Sequence, residues 1–143
     1  MAKRCVILSW VTTPLLNKQT VLHEQWADRY RWRYLGVPFM WIKTKKDGTR
    51  MGASGPRPAL VKPKNEFVVA YTNVRAGRTF PLLTESMSPD IYAPRGKHSE
   101  KPAVVRERIV ELLGDRPRLE LFARQAVEGW DSIGAESETV RIF

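Results

Sequence analysis

Residues 5–11 form an unbroken apolar run interrupted only by Ser9, carrying Val, Ile and Trp and ending at Thr12, Thr13 and Pro14. A short apolar stretch closed by turn residues suits a strand buried on both faces of a parallel sheet. Beyond it Val21, Leu22, Trp26 and Tyr30 recur at near-helical spacing, with Asn17 placed to cap the predicted helix and Gly36 to stop it. Residues 37–43 and 67–74, rich in Val, Phe, Trp and Tyr, are the next two strands. Between them, residues 44–65 contain Gly48, Gly52, Gly55, Pro56, Pro58 and Pro63 and read as a mobile loop. A second irregular stretch spans residues 77–97, with Pro81, Pro89 and Pro94. Ser99 then offers an N-cap for a helix over residues 101–113, whose Val105, Ile109 and Leu112 stripe faces a sheet and which Gly114 ends. Residues 119–123 give a fourth strand and residues 139–143 a short fifth. Strands alternating with helical crossovers predict an α/β fold with a mainly parallel sheet.

The 143 residues suffice for one core, so a single domain over residues 1–143 is expected. The apolar runs fall far short of the roughly 20 residues that cross a bilayer, and no apolar leader opens the sequence, so a cytoplasmic setting without membrane contact is expected. The lone Cys5 has no disulfide partner and reads as a core thiol. Charge changes the picture more. The net charge is +9, which favours polyanionic partners through counterion release. Much of the excess is local: Lys43, Lys45, Lys46, Arg50, Arg57, Lys62 and Lys64 face Asp47 alone between residues 41 and 64.

Candidate chemistry is limited. No strand is followed by the glycine spacing of a dinucleotide or triphosphate cradle. His23 and His98 with one cysteine leave little stock for a metal site. The segment from Arg95 is the most informative: His98-Ser99-Glu100-Lys101-Pro102 before the helix, then Leu119-Glu120-Leu121-Phe122-Ala123-Arg124, then Gly129-Trp130-Asp131. In this order these resemble the C-terminal signature of the MT-A-seventy family of adenine-N6 methyltransferases. Leu8-Ser9-Trp10-Val11-Thr12-Thr13-Pro14-Leu15-Leu16 and Phe39-Met40-Trp41-Ile42-Lys43-Thr44 resemble two earlier strands of that family, and Met51-Gly52 and Asn65-Glu66 match it more loosely.

The resemblance implies a Rossmann-like methyltransferase sheet, incomplete at its N-terminal central strand, and S-adenosylmethionine as cofactor. It implies that Lys101 neutralises the methionine carboxylate, that Glu120, Phe122 and Arg124 face the nucleoside, and that Trp130 and Gly134 shape a closing turn. Ala135 stands where the family carries a ribose-binding Asn, which weakens or removes cofactor binding. The family's Asp-Pro-Pro-Trp base-grasping motif is missing: no Pro-Pro pair occurs in the sequence, although extruded-base chemistry needs such a pocket. No catalytic residue is therefore assigned.

Plainer readings stand beside these. Lys101 also suits a first-turn surface lysine, and Glu120 an acid paired with Arg118 or Arg124. Phe122 and Trp130 also suit core aromatics. The basic stretch is either a solvated loop or a nucleic-acid contact in which Lys45, Lys46, Arg50, Arg57, Lys62 and Lys64 meet phosphates. Trp26, Tyr30, Trp32 and Tyr34, interleaved with Arg29, Arg31 and Arg33, give either a stacking surface or a buried helix end with a polar rim. The expected function is a methyltransferase-like domain, non-catalytic alone, that binds DNA or RNA or regulates a catalytic subunit as a homodimer or heterodimer. Two alternatives remain: an active adenine-N6 methyltransferase completed by another chain or an upstream segment, and a decoy or assembly protein pairing through an open sheet edge.

Overall fold

The computed structural model describes residues 4–51, 62–78, 80–84 and 86–134. Strand β1 (Val6–Thr12) leads through one 3₁₀ turn (Thr13–Leu15) into helix α1 (Leu16–Tyr30). Strands β2 (Arg33–Thr44), β3 (Asn65–Thr72) and β4 (Asp90–Pro94) follow, then helix α2 (Val104–Leu113) and the short strands β5 (Leu119–Leu121) and β6 (Asp131–Ile133). The first four strands form one sheet in the order β1-β3-β2-β4, and β5 and β6 pair separately. The predicted strand at residues 139–143 lies outside the described residues.

The α/β class holds, but the expected mainly parallel sheet does not. β3 runs antiparallel to both β1 and β2, and within the four-stranded sheet only β2 and β4 pair in parallel. The cause lies in the connections. Parallel neighbours need a crossover, commonly a helix; among the described residues β1-α1-β2 is the one such unit within this sheet, and β3 inserts between β1 and β2. In consequence β1, β2 and β4 all point one way and β3 the other.

Side-chain alternation sorts the sheet into two apolar faces. Leu8, Trp10, Phe39, Trp41, Val68, Ile91 and Ala93 pack with Val105, Ile109 and Leu112 of α2, as the helix stripe predicts. Cys5, Ile7, Val69 and Tyr71 pack with Trp26, Ala27 and Trp32 on the α1 side. The α1 face holds the predicted Trp26 but otherwise differs from expectation: Val21, Leu22 and Tyr30 are exposed, and Gln19, His23 and Ala27 turn inward instead. Trp32 is buried while Tyr30 and Tyr34 are half exposed, so these aromatics form a helix end with a polar rim.

The element ends also correct several expectations. Asn17 lies inside α1 and its amide oxygen accepts from the Lys18 N–H at 2.8 Å rather than capping. Arg31, at φ 56°, terminates α1. Gly36, at φ 110°, instead sits in β2 at a register shift against β3, where glycine admits the bulge and Pro38 needs no N–H partner. Ser99 does not cap α2, which begins after Ala103. Gly114 does end it, its N–H donating to the Val110 carbonyl. β4 falls within the stretch read as irregular; its prolines flank an alternating Ile91 and Ala93 that both face inward.

Candidate ligand site at the carboxyl ends of the strands

Because β1, β2 and β4 share a direction, their carboxyl ends meet on one rim, where β3 begins. In open α/β sheets that rim is where ligands bind. The β register sets Glu66 between Thr12 on one side and Trp41 on the other. Glu66 shares the inward phase of Val68 and Ala70, and is only 8% exposed. Burying a carboxylate costs several kcal/mol unless it is paired, and two lysines pair it. Lys43 Nζ donates to Oε1 at 2.6 Å, and Lys101 Nζ donates to Oε2. Burial pushes the Glu66 carboxyl upward, but the hydrogen bonds and charges of Lys101 and Lys43 outweigh it and hold the group below the usual carboxylate range.

Two indoles floor this cluster. Trp10 and Trp41 meet edge to face with centroids 6.2 Å apart, and the Trp41 Nε1–H donates to the Ala93 carbonyl at 2.9 Å. Lys43 Nζ stands 4.9 Å from the Trp41 ring centroid and Lys101 Nζ 5.1 Å from that of Trp10, within cation–π range. The Thr12 N–H donates to Gln19 Oε1 at 2.9 Å, fixing the end of β1 to α1. The Thr13 hydroxyl donates to the Asn65 carbonyl at 3.2 Å. The rim thus combines aromatic surface, one fixed carboxylate and ammonium groups, a set suited to a heteroaromatic ring that carries an anionic substituent.

Of the residues that the sequence proposes for the cofactor, Lys101 alone lies on this rim, engaged with Glu66. Glu120 pairs with neither Arg118 nor Arg124; Arg106 of α2 grips it in a fork, Nε to Oε2 at 2.8 Å and Nη2 to Oε1 at 3.0 Å. Arg118 instead pairs with Asp115 and lies over Trp130, 5.7 Å from its ring centroid. Phe122 has φ 59° and is 89% exposed, so it walls nothing among the described residues. Arg124 Nη1 donates to the His98 carbonyl, tying the end of β5 to the loop before α2. Gly134 packs onto Ala123, where an added Cβ would fall 2.1 Å from the Ala123 carbonyl oxygen. With Glu120 occupied by Arg106, Lys101 by Glu66 and Phe122 turned outward, this set does not fit a bound S-adenosylmethionine as arranged. Ala135 lies outside the described residues.

The proposed phosphate contacts also divide. Lys45, Lys46 and Arg50 are exposed on a turn that extends β2, closed by Asp47 accepting from the Thr49 N–H at 2.9 Å. Arg57 lies outside the described residues. Lys62 and Lys64 precede β3, and the Lys64 carbonyl accepts from the Lys43 N–H at 2.8 Å. Glu66, Lys43, Trp10 and Trp41 were not among the residues that the sequence singled out for the site. A signal existed for the first: a charged residue in phase with Val68 and Ala70 within an apolar strand needs a partner.

A cavity of about 550 Å³ lies elsewhere, between α1 and the sheet, lined by His23, Trp32, Tyr34, Phe67 and Tyr71 among others. Thr20, His23, Glu24 and Asp28 are its polar lining residues, and His23 Nε2 lies 3.1 Å from the Ser9 hydroxyl. Burial lowers the His23 pKa. Its lining is mostly apolar, so the chemistry concentrates on the strand-end rim instead.

Among curated proteins, the chain is 28% identical over 135 residues to "Type II methyltransferase M.MunI" of Mycoplasma sp, a match covering 94% of this chain and 52% of that protein. The chain thus spans about half the length of the curated relative it matches. The MT-A70 family model matches residues 1–136. That match takes in the strand-end rim, the α2 unit and the β5–β6 pair together, and the chain belongs to the MT-A70 family.

Proposed function

We propose that the chain is a methyltransferase-like domain that does not transfer a methyl group unaided and serves as a nucleic-acid-binding or regulatory partner of a catalytic subunit acting on adenine N6. MT-A70 methyltransferases use S-adenosylmethionine, which supplies an electrophilic methyl group when bound. The observation that carries the reading is the coexistence of an organised strand-end rim, with Glu66 held between Lys43 and Lys101, and a sequence without an Asp-Pro-Pro-aromatic motif. The reading is supported by the partly exposed indole of Trp10 on this rim, beside which a base can stack once it displaces one lysine from Glu66. No Asp-Pro-Pro-aromatic motif occurs in the sequence to supply the second acceptor and stacking ring that would aim the amine's lone pair at a methyl donor.

The test is methyl transfer from radiolabelled S-adenosylmethionine to adenine-containing DNA and RNA by the purified chain alone. No transfer is expected, with retained binding of the oligonucleotide; turnover by the isolated chain overturns the reading. Among the described residues no strand pairs with the outer edge of β1, which favours a second reading, an active enzyme whose missing strand comes from another segment. In that case a polypeptide carrying the Asp-Pro-Pro-aromatic strand restores transfer on mixing.

A further inference from the structure

The rim carries a second charge feature just outside the Glu66 cluster. Lys43 lies near the carboxyl end of β2, and its N–H donates to the carbonyl of Lys64, the residue before β3. Parallel pairing sets Thr44 against Pro94, so Arg95 leaves the end of β4 beside the end of β2. Three adjacent strand ends therefore each present one cation, and neighbouring strands lie about 4.8 Å apart. Partial loss of water, and after it the charges of Lys62, Arg95 and Lys43, hold the Lys64 ammonium below its usual range. Lys43 shares Glu66 with Lys101, two ammonium groups on one carboxylate. Among the described residues, no carboxylate forms an ion pair with Lys64 or Arg95. Like charges held together at this spacing repel, and an anion placed among them relieves the repulsion.

We propose that Lys43, Lys64 and Arg95 form a seat for one backbone phosphate of a single-stranded polynucleotide, whose adjoining base reaches the partly exposed Trp10. This rests on the nucleic-acid-binding reading above and gives it an address. Arg95 supplies a planar fork for phosphate oxygens, and the lysines supply point charges. Single-stranded nucleic acid is the form that suits this neighbouring indole, since bases stacked inside a duplex cannot reach it. The seat is separate from the exposed turn that carries Lys45, Lys46 and Arg50. It positions the strand, and the Glu66 cluster meets the base.

The experiment follows binding of a fluorescein-labelled single-stranded oligonucleotide containing one adenine, by anisotropy across a salt series. Wild type is compared with Lys64→Gln/Arg95→Gln and with the charge-keeping Lys64→Arg/Arg95→Lys. Lys43 is left intact because it also holds Glu66. One seated phosphate at roughly 0.7 predicts a salt slope shallower by up to about 0.7 in the glutamine variant, with weaker binding at low salt. The charge-keeping variant restores most of the slope, and a methylphosphonate oligonucleotide binds wild type and the glutamine variant alike. An unchanged slope in the glutamine variant, with wild type still binding, overturns the seat but not the reading above. Failure of wild type to bind any oligonucleotide overturns both, and deoxyadenosine monophosphate binding as tightly as the oligonucleotide overturns the assignment to a polynucleotide.

Discussion

At Glu66 a carboxylate stays charged inside the sheet because Lys43 and Lys101 reach it from two directions. Its folded pKa lies below the ordinary value, which fixes the sign of its pH effect. The stability it contributes is present above the unfolded carboxyl pKa, about 4.3, and is lost as pH falls through the folded value. Urea melts of wild type and Glu66→Gln from pH 7 to pH 3 are expected to differ most at neutral pH and to converge in acid. Curves that stay parallel throughout would show that the lysines contribute nothing. Cys5 behaves oppositely: burial pushes its thiol up, so less of the reactive thiolate is present. Its alkylation by iodoacetamide at pH 8 is expected to be at least several-fold slower than that of the unfolded chain. The core reading of Cys5 was legible because its neighbours are apolar. The partner of Glu120 was not: Arg106 stands 14 positions away on a helix, and only the turn at Gly114 brings the two together. Sequence proximity favoured Arg118 and Arg124, which bind Asp115 and the His98 carbonyl instead.

Elements depend on contacts of this kind between strands. Trp41 is 2% exposed and gives β2 both its packing against α2 and a hydrogen bond to the β4 carbonyl of Ala93. Trp41→Ala is expected to cost about 3 to 5 kcal/mol in chemical denaturation, whereas Tyr92→Ser on the exposed side of β4 stays within about 0.5 kcal/mol. The β5–β6 pair depends on a glycine. An alanine at 134 would drive its Cβ into the Ala123 backbone, whose N–H donates to the Ile133 carbonyl at 3.1 Å. In Gly134→Ala the Ala123 amide is expected to exchange its hydrogen roughly tenfold faster, while amides of β3 keep their protection. Long elements were legible from periodicity: β1, β2, β3 and α2 all fall where apolar spacing puts them. β4 and β6 were not, because flanking prolines at β4 and the Gly129 and Gly134 turns around β6 masked their few alternations, whereas the equally short β5 stood out as an apolar run. The termini of α1 were misplaced because Arg31 takes a left-handed conformation that no residue preference announces.

In the whole molecule, one strand order decides where chemistry can occur. Inserting β3 between β1 and β2 reverses the expected parallel pairing, yet it leaves three carboxyl ends on one rim and brings Glu66 among them. The motif resemblance located Lys101 on that rim without revealing what it holds, because a lysine and a carboxylate 35 positions apart meet only through the sheet register. Among the described residues no helix is long and apolar enough to cross a membrane. The seven residues of β1, VILSWVT, carry no charge, and the strand is the first in the sheet order. Gln19 covers the end of this strand, accepting from the Thr12 N–H and donating to the Trp10 carbonyl, and a neutral, β-rich ribbon whose first half lacks such cover is a template for copies of itself. Concentrated solutions are therefore expected to lose monomer by seeded growth: a trace of preformed aggregate shortens the lag before thioflavin fluorescence rises, and shelf life is governed by protein concentration more than by melting temperature.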